Sequence, residues 1–204
     1  PKELEFAESL GVSRTVVREA LLRLRTLGLV ESKRHRGMIL KQPDIINNFS
    51  RIMDPTLLGE DTLKQLFELR LILEMGMADF LFEHKTKRDI AELEKIVIAE
   101  EAADTGQIRF GLEREIAFHG KLYQMSNNIT LQGFQDLLLP VFEYVYLKET
   151  QNPELNDYHF SDGKFVTHRM LLEHLKVGTP QTFRIAMRRH LEPHFDHAFK
   201  VNKK

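Results

Sequence analysis

The chain contains no cysteine. This absence excludes disulfide bonds, thiolate catalysis and zinc sites built from cysteine, and it fits a protein of the reducing cytoplasm. No apolar run approaches the roughly 20 residues that a membrane-spanning helix requires. No basic segment followed by an apolar one opens the chain, as a secretory leader would. We therefore expect a cytoplasmic protein that does not enter a membrane.

The formal net charge of −1 hides an asymmetry between the two ends of the chain. Residues 1–41 hold nine lysines and arginines against five acids, whereas the remainder holds twenty against twenty-five. A small basic module joined to a larger acidic one indicates a polyanionic partner for the first and a different role for the second. With 204 residues, 42% of them hydrophobic, the chain is long enough for one or two globular domains.

Helical periodicity fills most of the chain from Asp61 onward. The predicted helical segments are residues 61–84, 88–105, 107–126, 129–150, 162–177 and 180–200. Since no regular strand alternation occurs there, residues 61–204 are predicted to form an all-α bundle. Residues 43–60, which contain Pro43, Pro55 and Gly59, are predicted to be a linker with one short helix.

Three residues near the N-terminus have the spacing of a helix-turn-helix. Ala7 permits close approach of two helices, Gly11 takes the positive-φ turn, and Val17 fills the angle between them. Ser13 is placed to cap the second helix. The apolar side of that helix is expected to comprise Val17, Ala20, Leu21, Leu24 and Leu27. A cation in its first turn faces the positive end of the helix dipole, at a cost of roughly 0.3–1 kcal/mol, so Arg14 is expected to serve a partner.

A basic hairpin is predicted after Gly28, which ends the second helix. Residues 29–32 and 38–41 are predicted to be short strands. The tip between them contains Lys33, Arg34, His35, Arg36 and Gly37. Such a hairpin is a wing that meets phosphates or a minor groove, and residues 1–42 are therefore predicted to be a winged helix. The alternative is a small protein-interaction module whose arginines and lysines are simply solvated.

Four residues in the bundle have the chemistry of a transition-metal site. Glu115 and His119 lie four residues apart and share one face of a helix. His168 and His190 lie on other helices at a separation that lets antiparallel neighbours bring them to one level. Three imidazoles and a carboxylate suit Zn, Ni or another divalent transition ion with positions left for water or ligand. The alternative is a surface pair at Glu115 and His119.

The remaining histidines and two further polar residues carry weaker predictions. His174 is the reserve ligand if His168 faces outward. The other histidines are expected at the surface or at helix ends, and they are His84, His159, His194 and His197. Arg70 is either a surface ion pair with Glu74 or a buried guanidinium aimed at an acidic effector. Asn128 is a candidate for one more hydrogen bond to that effector.

Residues 10–24 (LGVSRTVVREALLRL), then Gly28–Glu31 as GLVE and Arg36-Gly37, resemble the DNA-binding domain of GntR-family bacterial transcription regulators. The resemblance implies that the recognition helix and the wing meet operator DNA. The expected DNA-binding residues are Ser13, Arg14, Thr15, Arg18, Glu19, Arg23, Arg34, His35, Arg36 and Gly37. Arg14 and Arg18 lie one turn apart, so both can reach one major-groove half-site, where arginine binds guanine bidentately. The resemblance also implies a further helix before this one, which the sequence as given does not include.

Residues 61–200 resemble the FCD domain of FadR-type regulators. The matching stretches are LRLILE at 69–74, FH at 118–119 followed by SNN at 126–128, HRMLLE at 168–173, and AMRRHL at 186–191. In metal-binding members of this family an Asp and three histidines hold the ion, and those positions fall here on Glu115, His119, His168 and His190. The departure is Glu115, which is one methylene longer than the usual Asp.

Together these features predict a homodimeric, ligand-responsive regulator of double-stranded operator DNA, most often a repressor in this family. Its effector is expected to be a small organic acid or sugar acid bound beside the metal ion. Two alternatives stay open. One is an architectural DNA-binding dimer without an effector. The other is a helical metalloenzyme, which the chain supports less because the paired Glu and His motifs of di-metal bundles are missing.

Overall fold

The computed structural model describes residues 3–34, 36–50, 53–103, 112–151 and 166–200. The chain divides into two compact units, residues 1–52 and residues 53–204. Within the described ranges both units are mainly helical, and the first also contains a two-stranded hairpin. The fold class that the sequence predicts is thereby confirmed.

The first unit is a helix-turn-helix followed by a hairpin. In chain order its elements are α1 (Glu3–Leu10), α2 (Arg14–Thr26), β1 (Val30–Lys33), β2 (Gly37–Leu40) and α3 (Ile45–Ser50). Gly11 has φ +66° between the two helices, a left-handed conformation that costs other residues about 1–2 kcal/mol. Ala7, Val17 and Leu21 form a small core where the helices cross. The predicted roles of Ala7, Gly11 and Val17 are confirmed.

The predicted apolar side of α2 is partly wrong. Val17 and Leu21 are buried, but Ala20, Leu24 and Leu27 are exposed in the structure. Among the described residues α2 packs mainly against α1 and β1, which cover Val17 and Leu21 but leave the rest of the predicted apolar side in solvent.

The hairpin differs from its prediction by one residue at both ends of each strand. Its register places Val30 opposite Leu40 and Lys33 opposite Gly37. Leu29 stays outside β1 because its N–H donates to the carbonyl of Leu24 and so closes the end of α2. Gly37, with φ +72°, turns the chain directly into β2.

The second unit is an all-α bundle. Its helices, as far as the structure describes them, are α4 (Glu60–Gly76), α5 (Ala78–His84), α6 (Lys87–Ala102), α7 (Leu112–Met125), α8 (Ile129–Gln151), α9 (His168–Val177) and α10 (Pro180–Lys200). The central helices α6, α7, α9 and α10 meet around a core that includes Leu93, Phe118, Leu122, Leu172 and Phe183. No helix of the described segments combines the length and the apolar character that crossing a bilayer requires.

Two predicted helices in this unit need correction. The segment predicted at 61–84 is divided at Met77 into α4 and α5, directly after Gly76, a residue with low helix propensity. The segment predicted at 162–177 begins at His168, because Thr167 is extended and its side chain caps α9 by accepting from the N–H of Met170. Two of the predicted breaks, after residue 105 and after residue 150, fall at or beside residues 104–111 and 152–165, which lie outside the described residues.

Candidate metal centre and recognition helix

Helix α2 presents its cationic side to solvent. Ser13 is extended and its side chain accepts from the N–H of Val16 at 3.3 Å, which fixes where the helix begins. Arg14 and Arg18 lie on the exposed side, and each approaches the carboxylate of Glu3 on α1, at 3.5 and 3.4 Å. Exposed ion pairs of this kind contribute little to stability, so both guanidiniums are available to another anion.

The other residues predicted to bind DNA are also exposed. Thr15, Glu19 and Arg23 lie on α2, and Arg34, Arg36 and Gly37 lie at or beside the tip of the hairpin. His35, between those last arginines, lies outside the described residues. Contact of these residues with DNA stays a prediction.

In the second unit, four side chains from three helices converge at one point. Glu115 and His119 belong to α7, His168 to α9 and His190 to α10, and one ligating atom of each lies within 4.8 Å of the others. Nε2 of His119 lies 3.1 Å from Nε2 of His190 and 3.2 Å from Oε2 of Glu115. Nε2 of His168 lies 3.3 Å from Oε1 of Glu115. The structure thus brings together the four residues that the sequence assigned to a metal.

The opposite nitrogen of each imidazole faces an acceptor. Nδ1 of His190 donates to the carbonyl of Val166 at 2.7 Å. Nδ1 of His168 donates to Glu100 Oε2 at 2.8 Å. Nδ1 of His119 lies 2.6 Å from Oε2 of Glu74, a short ion-pair contact that lacks the alignment of a hydrogen bond. Carboxylates and carbonyls in these positions orient metal-binding histidines, because they fix the proton on Nδ1 and leave a lone pair on Nε2.

The donor set fits a cation. Nε2 of His168 is buried and has no hydrogen-bond partner among the described residues, which is costly for a polar atom. Nε2 of His119 and Nε2 of His190 lie 3.1 Å apart, so that when both rings are neutral and carry their protons on Nδ1 the two lone pairs face each other and repel. A positive ion bound at this point satisfies all three nitrogens.

The electrostatics of the cluster favour added positive charge. Burial raises the pKa of Glu74, but the charges of Arg70 and His119 outweigh burial and hold that pKa at about 2. Burial likewise opposes ionisation of Glu115, but His168 and His119 hold its pKa well below the usual value. Burial lowers the pKa of His168, yet Glu115 and Glu100 raise it to about 9. Burial holds the pKa of His190 well below its usual value, so that ring is neutral.

Arg70 combines a part of each of the two alternatives that the sequence left open, because it is buried and also pairs with Glu74. It pairs with Glu74, with Nε 2.6 Å from Oε1, but the pair is buried rather than on the surface. Its Nη2 lies 3.4 Å from Oε2 of Glu115, and the guanidinium lies 4.5 Å from the centre of the Phe142 ring. The surface location is therefore wrong, because α4 turns this part of its face toward α7 and α8. A role of Arg70 toward an effector stays a prediction.

Asn128 and His174 take other positions. Oδ1 of Asn128 accepts from the N–H of Leu131 at 3.0 Å, a capping bond at the start of α8, and the residue is exposed. An effector contact for Asn128 stays a prediction. His174 does not belong to the group of ligating atoms found in the described residues. His84 ends α5 as expected and contacts the carbonyl of Ser126 at 3.1 Å.

Sequence reasoning missed the groups that support the three histidines. The i,i+4 spacing of Arg70 and Glu74 predicts that the two residues form an ion pair, but it does not predict that Glu74 also contacts His119. Glu100 lies on α6, 68 residues before His168, and nothing in the local pattern distinguishes it from its acidic neighbours. The carbonyl of Val166 has no signature in a sequence.

Replacing Glu100 by glutamine is expected to weaken zinc binding roughly 10- to 100-fold, because the carboxylate that orients His168 is lost. Zinc affinity is measured by competition with a chromophoric chelator. The matched control is Glu101→Gln, since Glu101 is the next residue on α6 and pairs with Arg169 at 2.6 Å away from the cluster. Equal zinc affinities for the two variants contradict the prediction.

Two family patterns match the chain. The pattern described as "Bacterial regulatory proteins, gntR family" matches residues 1–40, and the pattern of the FCD domain matches residues 65–193. The HTH-type transcriptional regulator LutR of Bacillus subtilis (strain 168) is 35% identical over 164 residues, which cover 76% of this chain and 74% of LutR. The Uxu operon regulator of Haemophilus influenzae is 29% identical in an alignment that covers 99% of this chain and 80% of that protein.

Solved structures are similar in fold. A GntR protein of Streptococcus agalactiae superposes with a TM-score of 0.54 at 24% identity, and the match covers 96% of this chain and 87% of that one. A GntR-family transcriptional regulator of Pseudomonas syringae also gives a TM-score of 0.54, at 20% identity, with 98% and 76% covered. At these identities the likeness concerns the fold alone.

Proposed function

This chain belongs to the GntR family of bacterial regulatory proteins and carries the FCD domain, and from that premise we propose that it is a homodimeric, metal-dependent repressor that responds to a small organic acid or sugar acid. Membership makes it a DNA-binding transcription regulator. The observation that carries the rest is the convergence of Glu115, His119, His168 and His190 beside the buried guanidinium of Arg70. The division of labour we propose is DNA binding by residues 1–42 and effector binding by residues 61–204.

Three imidazoles and one carboxylate are ligands that suit Zn or Ni, and we propose one of these as the resident ion. When bound, such an ion supplies a positive charge that attracts the carboxylate of the effector. The protein supplies the rest. Glu74, Glu100 and the Val166 carbonyl orient the imidazoles. Arg70 adds a second positive charge, and because the site is buried both charges attract a carboxylate more strongly than they would in water.

The DNA half of the proposal requires two copies of the chain. One winged helix offers a small interface, and useful sequence preference arises when a dimer reads two half-sites about one helical turn apart. Effector control requires that the effector bind one arrangement of the two DNA-binding units better than the other. The expected result is that a metal-loaded dimer loses operator affinity when its organic acid is added. If no acid in a broad panel changes operator affinity, the sensing half of the proposal is wrong.

Substituting Arg18 by alanine is expected to weaken operator binding by about 1–3 kcal/mol and to relax sequence preference at one base position. The operator is first selected from random duplexes with the full chain, and affinities are then measured by fluorescence anisotropy at fixed salt. Arg25→Ala is the control, because Arg25 lies on the same helix near its C-terminal end. An equal loss on operator and random DNA makes Arg18 a phosphate contact instead.

A further inference from the structure

The carboxylate of Glu115 lies between the guanidinium of Arg70 and the Nε2 atoms of His119 and His168. Oε2 lies 3.4 Å from Nη2 of Arg70 and 3.2 Å from Nε2 of His119, while Oε1 lies 3.3 Å from Nε2 of His168. The carboxylate of Glu115 thus already contacts Arg70 and the predicted metal ligands, which are the groups that the carboxylate of an incoming organic acid would contact.

Glu115 is also the most accessible of the four predicted ligands. Its side chain is 13% exposed, against 3% for those of His119 and His168, and His190 is 1% exposed. Glu115 lies in the first turn of α7, one turn before His119, where the backbone N–H groups have no intrahelical partners. Among the four predicted ligands, Glu115 is therefore the one that borders solvent most.

Charge balance opposes the simple addition of another anion. Glu74, Glu100 and Glu115 contribute three negative charges, and Arg70 with a divalent ion contributes three positive ones. A further carboxylate beside Arg70 leaves a net negative charge in a buried place, where like charges repel strongly. Moving the carboxylate of Glu115 away from Arg70 increases its distance from the incoming carboxylate and so reduces this repulsion.

We propose that Glu115 is a displaceable internal carboxylate, which holds the Arg70 position in the effector-free protein and leaves it when the carboxylate of an organic acid binds. This inference rests on the proposed function, since it concerns how that effector enters the same site. Glutamate suits the role because its side chain is longer than that of aspartate by one carbon–carbon bond, about 1.5 Å. It can therefore reach Arg70 from its position on α7, one turn before His119.

The first test compares Glu115→Asp with the wild-type chain, both loaded with zinc, using malonate as the probe in isothermal titration calorimetry. The shorter side chain keeps a carboxylate for the metal but no longer reaches Arg70, so malonate is expected to bind about tenfold more tightly. The control is Glu113→Asp, an exposed acid in the same helical turn, for which no change is expected. Zinc content is measured for each sample. Unchanged or weaker malonate binding by zinc-loaded Glu115→Asp overturns the proposal.

The second test uses the wild-type chain and does not depend on a variant that folds. Crystal structures of the zinc-loaded protein are compared with and without malonate. With malonate bound, the distance from Glu115 Oε2 to Arg70 Nη2 is expected to exceed 4 Å, with malonate in its place. Malonate bound at the zinc with Glu115 still on Arg70 overturns this inference and leaves the proposed function intact. Zinc-loaded protein that binds no organic acid at all overturns both.

Discussion

Replacing Arg70 by methionine is expected to lower the free energy of unfolding of the metal-free helical unit by about 3–5 kcal/mol. The guanidinium holds Glu74 at 2.6 Å and Glu115 at 3.4 Å, and both carboxylates lie in a buried setting. Without Arg70 these acids must either stay charged without their cation or take up protons. Methionine keeps most of the packing against Phe142, so the loss reports the charge rather than a cavity.

Urea unfolding followed by circular dichroism, with a chelator present, measures this loss. The control is Arg88→Met, because Arg88 pairs with Glu92 at the same i,i+4 spacing and at 2.8 Å but in solvent. No measurable change is expected for that variant, since exposed pairs contribute little. A loss below about 1 kcal/mol for Arg70→Met contradicts the account of a buried pair. Glu74→Gln added to Arg70→Met is expected to recover part of the loss, because one of the two unpaired carboxylates is then removed.

Substituting His119 by alanine is expected to reduce zinc affinity more than about 100-fold, which exceeds the effect of losing a supporting group. An ion that binds only the folded chain stabilises it by about 4 kcal/mol when its free concentration is 1,000 times the dissociation constant. The wild-type melting temperature is therefore expected to fall when a chelator removes the ion. The His119→Ala variant is expected to melt at the same temperature with and without zinc.

The melting temperature of each variant is compared with and without zinc, because this difference reports metal binding and not the packing that the imidazole also provides. His174→Ala is the control, because His174 was the reserve ligand and lies outside the cluster on the same helix as His168. Its zinc-dependent increase in melting temperature is expected to match that of the wild type. A larger loss in His174→Ala than in His119→Ala contradicts the assignment of ligands.

The His119→Ala variant also separates a sensor from an architectural DNA binder. If the proposed function holds, the variant is expected to bind operator DNA but to lose its response to organic acids. Operator binding that is unaltered, with metal content and acid response also unaltered, favours the architectural alternative.

Several features of this protein followed from sequence because they depend on short-range rules. The turn at Gly11 requires a residue that tolerates positive φ, and Ala7 and Val17 stand at fixed distances on either side of it. Glu115 and His119 share a face because a helix repeats every 3.6 residues. His168 and His190 joined that prediction through their separation along the chain and through the resemblance to the FCD domain, because no local rule connects them to α7.

Tertiary packing decided the remainder, because it joins residues whose separation along the chain carries no signal. Arg70 and Glu115 are 45 residues apart, and only the packing of the bundle reveals that the guanidinium is buried between carboxylates. Glu100 becomes the partner of His168 because α6 lies against α9. The amino-acid sequence by itself determined the helix-turn-helix and the types of ligand available, since spacing and side-chain chemistry are local. The tertiary structure determined which nitrogen of each imidazole faces the metal site and which acid covers it, since those depend on what each helix is packed against.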